Sequence, residues 1–412
     1  MSAAVEFTID RLGHRGDGIA RGGSGDVFIS YTLPDELVIA ALESADRARL
    51  QAIVRASADR VDPVCDYFTR CGGCALQHLD LSALLDWKRS LVVEALRQRG
   101  IETRVEPCID AHGDGRRRVT LHARQTPGGI EAGFMMARSH RLIAIERCPV
   151  LAPSLAAAPG VARALGEALA ALRKPLDIQV TATMGGLDVD LRGAGKVDDR
   201  VRLRLVELGR ALDLARLSLH GETLAAWRSP ALRMGPAVVA PPPGGFLQAT
   251  AAGEETLSAL ALQGVAGAKR VVDLFSGCGP IALRAAGRAR VHAVELEKAS
   301  LDALERAARA TAELRPVSTE ARDLFRRPLL AHELESFDAA IFDPPRAGAE
   351  AQARALAASR KLKTVAGVSC NAATFARDAR ILIDGGFSLE QVTPVDQFRY
   401  SAHVELVGIF RR

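Results

Sequence analysis

Cys370 follows an apolar run over 364–368 that reads as a strand, with a helix expected behind it. A cysteine at such a junction sits near a helix N-terminus, which lowers its pKa and favours the thiolate, a nucleophile. Most free cysteines are simply small buried apolar groups. Here Asp343-Pro344-Pro345-Arg346, one strand earlier, argues for chemistry, because ligands bind at the C-terminal edge of open α/β sheets. Glu405 lies within an otherwise apolar run over 404–410. A carboxylate there is unfavourable unless paired or useful, so Glu405 is the candidate base, with a surface glutamate on an edge strand as the plainer alternative. A thiolate and a base together suit addition to an electron-poor ring, activation of the neighbouring carbon, and later removal of a proton.

A second constellation suits a cofactor. The run Val271-Val272-Asp273-Leu274-Phe275-Ser276-Gly277-Cys278-Gly279 is an apolar strand entering a glycine turn before a helix. Residues without side chains let a ligand lie against the backbone there. The next strand, over 291–294, ends in Glu295, placed to accept hydrogen bonds from both ribose hydroxyls, and Asp323 after a third segment can hold an adenine. The three-glycine dinucleotide fingerprint is missing and no phosphate cradle is evident. A phosphate-free nucleoside such as S-adenosylmethionine therefore fits better than NAD. Upstream, Gln248 carries an amide able to pair with a base edge, and Phe246 can stack on a base or simply pack.

The third constellation is Cys65, Cys71 and Cys74, with Gly72 and Gly73 between the last two, and Cys148 as a fourth thiol. Such a loop wraps a metal centre, and its spacing fits either zinc or an iron–sulfur cluster. Cys108 and Cys278 are read as inert.

These groups need a scaffold, and 412 residues are enough for two or three domains. Residues 1–56 read as short strands broken by glycine, a small antiparallel barrel with Arg11, His14, Arg15 and Arg21 near turns, either to meet phosphates or as ordinary solvated charges. Residues 57–240 hold the cysteines, an amphipathic helix over 81–99 and then alternating strands and Ala-rich helices. After the turn at 241–245, residues 241–412 become regular βαβ, which implies a mostly parallel, doubly wound sheet. A charged fraction of 25% beside 48% hydrophobic residues excludes a disordered chain. The net charge of +5 is compatible with a polyanionic partner. Neither a signal peptide nor an apolar run of membrane-spanning length is visible, so a cytoplasmic protein is expected, with no membrane partner and nothing that requires more than a monomer.

Taken together, the motifs resemble the bacterial S-adenosylmethionine-dependent RNA 5-methyluridine methyltransferases, in their iron–sulfur-containing 23S rRNA type, over nearly the whole chain. The resemblance implies a doubly wound, Rossmann-like α/β methyltransferase domain, an N-terminal small β-barrel of the TRAM or OB-like kind, and a central α+β domain carrying an iron–sulfur cluster. It implies that Cys65, Cys71, Cys74 and Cys148 bind a [4Fe-4S] cluster, which decides against zinc. Cys370 becomes the nucleophile on C6 of a uridine and Glu405 the base that removes the C5 proton. Gln248, Phe275, Gly277, Gly279, Glu295, Asp323 and Asp343 become the cofactor residues, and Phe246, Gln248 and Asp343 the substrate residues. RNA is the implied partner, 23S rRNA before tRNA. The alternatives are a tRNA T-loop uridine-C5 methyltransferase and a catalytically silent RNA-binding protein of the same fold. Six positions depart from the family pattern: Thr250, Pro280, Ala372 and the run Arg399-Tyr400-Ser401 ahead of the base.

Overall fold

The computed structural model describes residues 4–23 and 25–412, so the first three residues of the N-terminal reading and Ser24 lie outside it. Strands Ala4–Leu12, Gly18–Gly22, Gly25–Ile29, Leu37–Ser44 and Arg47–Arg55 close into a barrel in the order first, second, third, fifth, fourth. All pairings are antiparallel except the closing one, where Phe28 and Ile29 run parallel to Arg47 and Ala48. Alternate residues such as Phe7, Ile9, Val27, Ile29, Val38 and Ala40 point inward and fill it. Gly18 is required at the corner: a Cβ there would lie 2.0 Å from the Thr32 hydroxyl oxygen.

After the cysteine loop, helix Leu81–Arg97 is capped by Asp80, whose carboxylate accepts from the Ser82 and Ala83 amides. Its apolar side, with Val92 and Leu96, joins the core of the large C-terminal sheet. Short strands Arg104–Val105 and Ile109–Asp110 then pair with strand Ser388–Asp396. Both are two-residue strands that no periodicity announces. The chain leaves that sheet for a central one of seven strands, mostly antiparallel, in which Arg118–Thr126 and Leu176–Thr183 lie side by side. Helices Ala158–Ala168 and Asp199–Ala211 contribute to the same core.

The chain returns at helix Ala251–Gly264, whose N-cap is Thr250. Strands Val317–Ala321, Arg290–Glu295, Arg270–Leu274, Ala339–Phe342 and Thr364–Ser369 run parallel in that spatial order. The expected doubly wound arrangement is thus present, and its strands are continuous apolar runs because both faces are covered. Strand Glu405–Arg411 then enters antiparallel, between Thr364–Ser369 and Ser388–Asp396. It is therefore an interior strand, and the reading of Glu405 as an edge-strand surface residue does not apply. Among the described residues no helix is long and apolar enough to cross a membrane.

Candidate active site

Strand register builds the reacting pair. Ser369 pairs with Leu406 across two antiparallel strands. The next residues outward along that pairing are Cys370 and Glu405, so they come side by side at the sheet's end. Asp343 follows the neighbouring strand Ala339–Phe342, where Phe342 pairs with Gly367. The two loops are tied together, since the Asn371 side-chain amide and the Thr374 hydroxyl both donate to the Arg346 carbonyl, at 3.4 and 3.3 Å.

These residues open into one cavity of about 640 Å³. Its wall includes Cys370, Glu405, Asp343, Gln248, Phe246, Phe275, Gly277, Glu295 and Asp323. The fold thus gathers these residues, each named in the sequence reading, from seven separate segments. Gly279 is not on the wall. Its φ is +82°, and a Cβ there would lie 2.2 Å from Leu304 Cδ1, so it serves the packing of helix Pro280–Ala285 against helix Lys298–Ala310.

At the cofactor end the strand stops at Leu274, and Phe275 takes a left-handed φ of +61°, a conformation that bulky residues seldom hold unless their surroundings fix it. Its ring lies 5.5 Å from that of Phe325. Gly277 donates its amide to Glu295 Oε2 at 3.0 Å, and a Cβ on it would meet nothing within 4 Å, leaving that backbone open to a ligand. Glu295 Oε1 also accepts from the Leu296 and Glu297 amides, and Asp323 Oδ1 from those of Phe325 and Arg326. A glycine turn, two carboxylates held by backbone amides and aromatic faces suit a nucleoside with free hydroxyls. Pro280 at the start of its helix removes one N–H that would be free there in any case.

Burial sets the electrostatics at the chemical end. Glu405 is 4% exposed, and its carboxyl is pushed up to about 8, first by burial and then by the charge of Asp343; Gln397 and Arg346 oppose the shift. Asp343 is pushed up to about 7 by burial, against a hydrogen bond from Gln248 Nε2 at 3.2 Å. Gln248 Oε1 in turn accepts from Gln397 Nε2 at 2.6 Å. Gln397 was missed from sequence, where its only signal is an amide inside a buried run; it is 0% exposed and orders the chain Gln397–Gln248–Asp343.

The expectation of a lowered Cys370 pKa is overturned. The thiol is pushed up to about 11, first by burial and then by Glu405 and Asp343, with Arg346 too weak an opponent. The helix N-terminus does not help because Asn371, its N-cap, already accepts from the Ala373 and Thr374 amides. His403, also on the wall, is pulled down to about 4 by burial and by Arg346, Lys88 and Arg116, which keeps its imidazole neutral at pH 7.

Glu405 carries a consequence for stability. Its carboxyl titrates at about 8 in the fold against 4.5 as an ordinary glutamate, so its stabilising share is complete below pH 4.5 and is lost as pH rises through 8. Glu405→Gln has no such titration. The variant should gain on wild type between pH 5 and pH 9, by on the order of 3 kcal/mol, seen as a widening gap in Tm. An equal gap at both pH values would rule out a neutral carboxyl in the fold.

The cysteine loop differs from what was expected. Among the described residues, no group of three or more His, Cys, Asp or Glu side chains is gathered so as to hold a metal ion. Cys65, Cys71, Cys74 and Cys148 nevertheless share one neighbourhood. The Cys148 thiol is pushed up to about 11 by burial first and then by the charges of the other three. The thiols of Cys71, Cys74 and Cys148 are each raised, first by burial. The donor set itself, four soft sulfurs from two converging segments, is the kind that suits an iron–sulfur cluster.

Comparison with known proteins extends the geometry. Residues 256–379 match the family described as "Conserved hypothetical protein 95". The chain is 46% identical to an uncharacterized RNA methyltransferase of Mesorhizobium japonicum, over 98% of both chains. It is 46% identical to another from Brucella suis, over 100% of this chain and 99% of that one. It is 34% identical to the 23S rRNA (uracil(1939)-C(5))-methyltransferase of Chromohalobacter salexigens, over 100% of this chain and 90% of that protein. Among solved structures, the Pyrococcus abyssi tRNA (uracil-54, C5)-methyltransferase in complex with S-adenosyl-L-homocysteine superposes with a TM-score of 0.75, covering 98% and 99% of the two chains. At 22% identity that likeness establishes the fold alone.

Proposed function

The chain belongs to the family of RNA methyltransferases, and we propose that it transfers a methyl group from S-adenosylmethionine to C5 of a uridine, in 23S rRNA. The observation that carries this reading is the placement of Cys370 beside Glu405 on adjacent strands of a cavity that also holds Asp343 and Gln248.

The residues have distinct tasks. Glu295, Asp323, Phe275 and the backbone at Gly277 would hold the nucleoside part of the cofactor, which when bound supplies an electrophilic methyl group on a sulfonium. Gln248 and Asp343 face the polar edge of the uracil. Phe246, at 69% exposure on the cavity wall, offers a ring on which a base swung out of its stack can rest. The Cys370 thiol must first lose its proton, and Asp343, raised towards neutrality, is suited to accept it, which leaves Glu405 free for the later step. Cys370 Sγ then bonds to C6, the C5=C6 electron pair moves into the ring as an enolate, and C5 becomes nucleophilic. Once C5 carries the methyl group, Glu405 takes its proton. The C–H pair re-forms C5=C6, and the S–C6 bond breaks with its electrons on sulfur.

For the second group we propose that Cys65, Cys71, Cys74 and Cys148 hold a [4Fe-4S] cluster with no part in these steps, which move no net electrons. Iron and sulfide analysis of the purified protein tests it. The choice of 23S rRNA rests on the Chromohalobacter enzyme, related at 34% identity across the whole chain.

The function is tested by mass spectrometry of 5-methyluridine in separated 23S rRNA and tRNA, from cells with and without the gene. Loss from one 23S fragment is the expected result. Loss from tRNA alone would retain the chemistry and overturn the substrate. No change in either would reject uridine-C5 methylation.

A further inference from the structure

Glu405 reaches the cavity at the end of the segment 397–404, which joins strand Ser388–Asp396 to strand Glu405–Arg411. The anchors of this segment come from distant parts of the chain. Lys88, on helix Leu81–Arg97, uses all three of its N–H donors on it: Asp396 Oδ1 at 2.6 Å, the Phe398 carbonyl at 3.1 Å and the His403 carbonyl at 2.8 Å. Both Lys88 and Asp396 side chains are 0% exposed. The amides of Ala75 and Leu76, directly after Cys74, donate to the Tyr400 carbonyl at 2.8 and 3.1 Å, while Tyr400 itself takes a φ of +67°. Arg399 pairs with Asp110, and the Ala111 amide donates to the Asp396 carbonyl at 2.9 Å. The departures Arg399 and Tyr400 are therefore anchoring points.

A wholly buried ammonium is unfavourable, and an apolar side chain of the same length would fill this space without that penalty. What Lys88 does that an apolar residue cannot is join both ends of the loop, Phe398 and His403, to one point. Both of those residues, like Glu405, are on the cavity wall. We propose that Lys88 is a positioning residue for Glu405, fixing the place at which its carboxylate stands beside Cys370. The proposal rests on the covalent reading given above.

Lys88→Met alone would strand a buried carboxylate, so the deciding variant is Lys88→Met/Asp396→Asn. It removes both charges and retains an acceptor for the Phe398 amide, which now donates to Asp396 Oδ1 at 2.8 Å. The assay uses unmodified 23S rRNA and tRNA transcripts with radiolabelled S-adenosylmethionine, and wild type and Glu405→Gln run beside it. A base displaced by about an ångström should slow turnover ~100-fold. Cofactor affinity should stay within about threefold of wild type, because the cofactor residues are untouched. A methylated, Cys370-linked RNA adduct should accumulate, since release depends on Glu405 and attack does not. A merely structural role would lower activity in proportion to the folded fraction, with no adduct. Wild-type turnover in the double variant, or lost turnover without adduct while Glu405→Gln traps one, would overturn the proposal. If Glu405→Gln traps nothing on either transcript, the covalent reading itself falls, and the role of Lys88 with it.

Discussion

Glu405→Gln protein, given its RNA and S-adenosylmethionine, is expected to stop at a covalent protein–RNA species that survives denaturing electrophoresis and carries the transferred methyl group. Glutamine has the size of glutamate and keeps a polar partner for Gln397, so the cavity retains its shape. What it cannot do is accept the C5 proton, and without that loss the Cys370–C6 bond has no route to elimination. Turnover should fall by ~10²–10⁴-fold, the range that a general base contributes. Cys370→Ala should abolish both turnover and adduct, and in the Glu405→Gln background it should remove the trapped band. Because Cys370 is a thiol near neutrality, with a pKa pushed up to about 11, the rate of adduct formation should rise with pH across 7–9. A Glu405→Gln enzyme that turns over normally would show that another group takes the proton. An adduct that persists in Cys370→Ala would remove the nucleophile assignment altogether.

Cys71→Ser is expected to strip the protein of iron and of its visible absorbance. A serine oxygen is a poor substitute for a thiolate on a soft metal centre. The loop leaves little room for a replacement to approach from elsewhere. Cys71 forms a bridge with Met136, the Gly72 amide donates to the Met135 carbonyl at 2.9 Å, and a Cβ on Gly72 would come within 2.8 Å of that same carbonyl oxygen. The same loop holds Tyr400 through Ala75 and Leu76, so losing the proposed cluster should also loosen the segment before Glu405. Proteolysis should then cut first between residues 65 and 80, and Tm should fall by several degrees, about what 2 kcal/mol produces in a domain of this size. Wild-type protein prepared without oxygen that contains neither iron nor sulfide would defeat the cluster assignment. Zinc in its place would retain the ligands and change the metal.

The catalytic sheet was legible because its information is local. Apolar runs of four to six residues alternate with helices, and Asp343, Cys370 and Glu295 each mark a strand end, a place that the linear pattern reveals. The partnership of Cys370 with Glu405 was legible only as two separate candidates; the antiparallel insertion that brings them together is a property of pairing, which composition does not encode. Gln397 and Lys88 escaped notice for the same reason. A glutamine beside Asp396 and a lysine on an amphipathic helix look like ordinary polar positions until the fold buries them completely. The thiol pKa was misjudged because the helix dipole was considered without the burial of the thiol, the two carboxylates beside it and the Asn371 cap. Gly279 has a packing role against Leu304 that the linear pattern of a cofactor loop does not reveal.

The strands Arg104–Val105 and Ile109–Asp110, with helix Leu81–Arg97, complete a sheet whose neighbouring strand is made much later in the chain. Lys88 and Asp396 are separated by 308 positions. During vectorial synthesis the apolar face of that helix, with Val92 and Leu96, must wait uncovered while the whole central sheet is translated. Long-range closure of this kind makes folding slow and exposes an aggregation-prone intermediate. A fragment cut at the turn near residue 241 is therefore expected to leave each piece with an unfinished core, because Val92 and Leu96 pack with residues beyond 270.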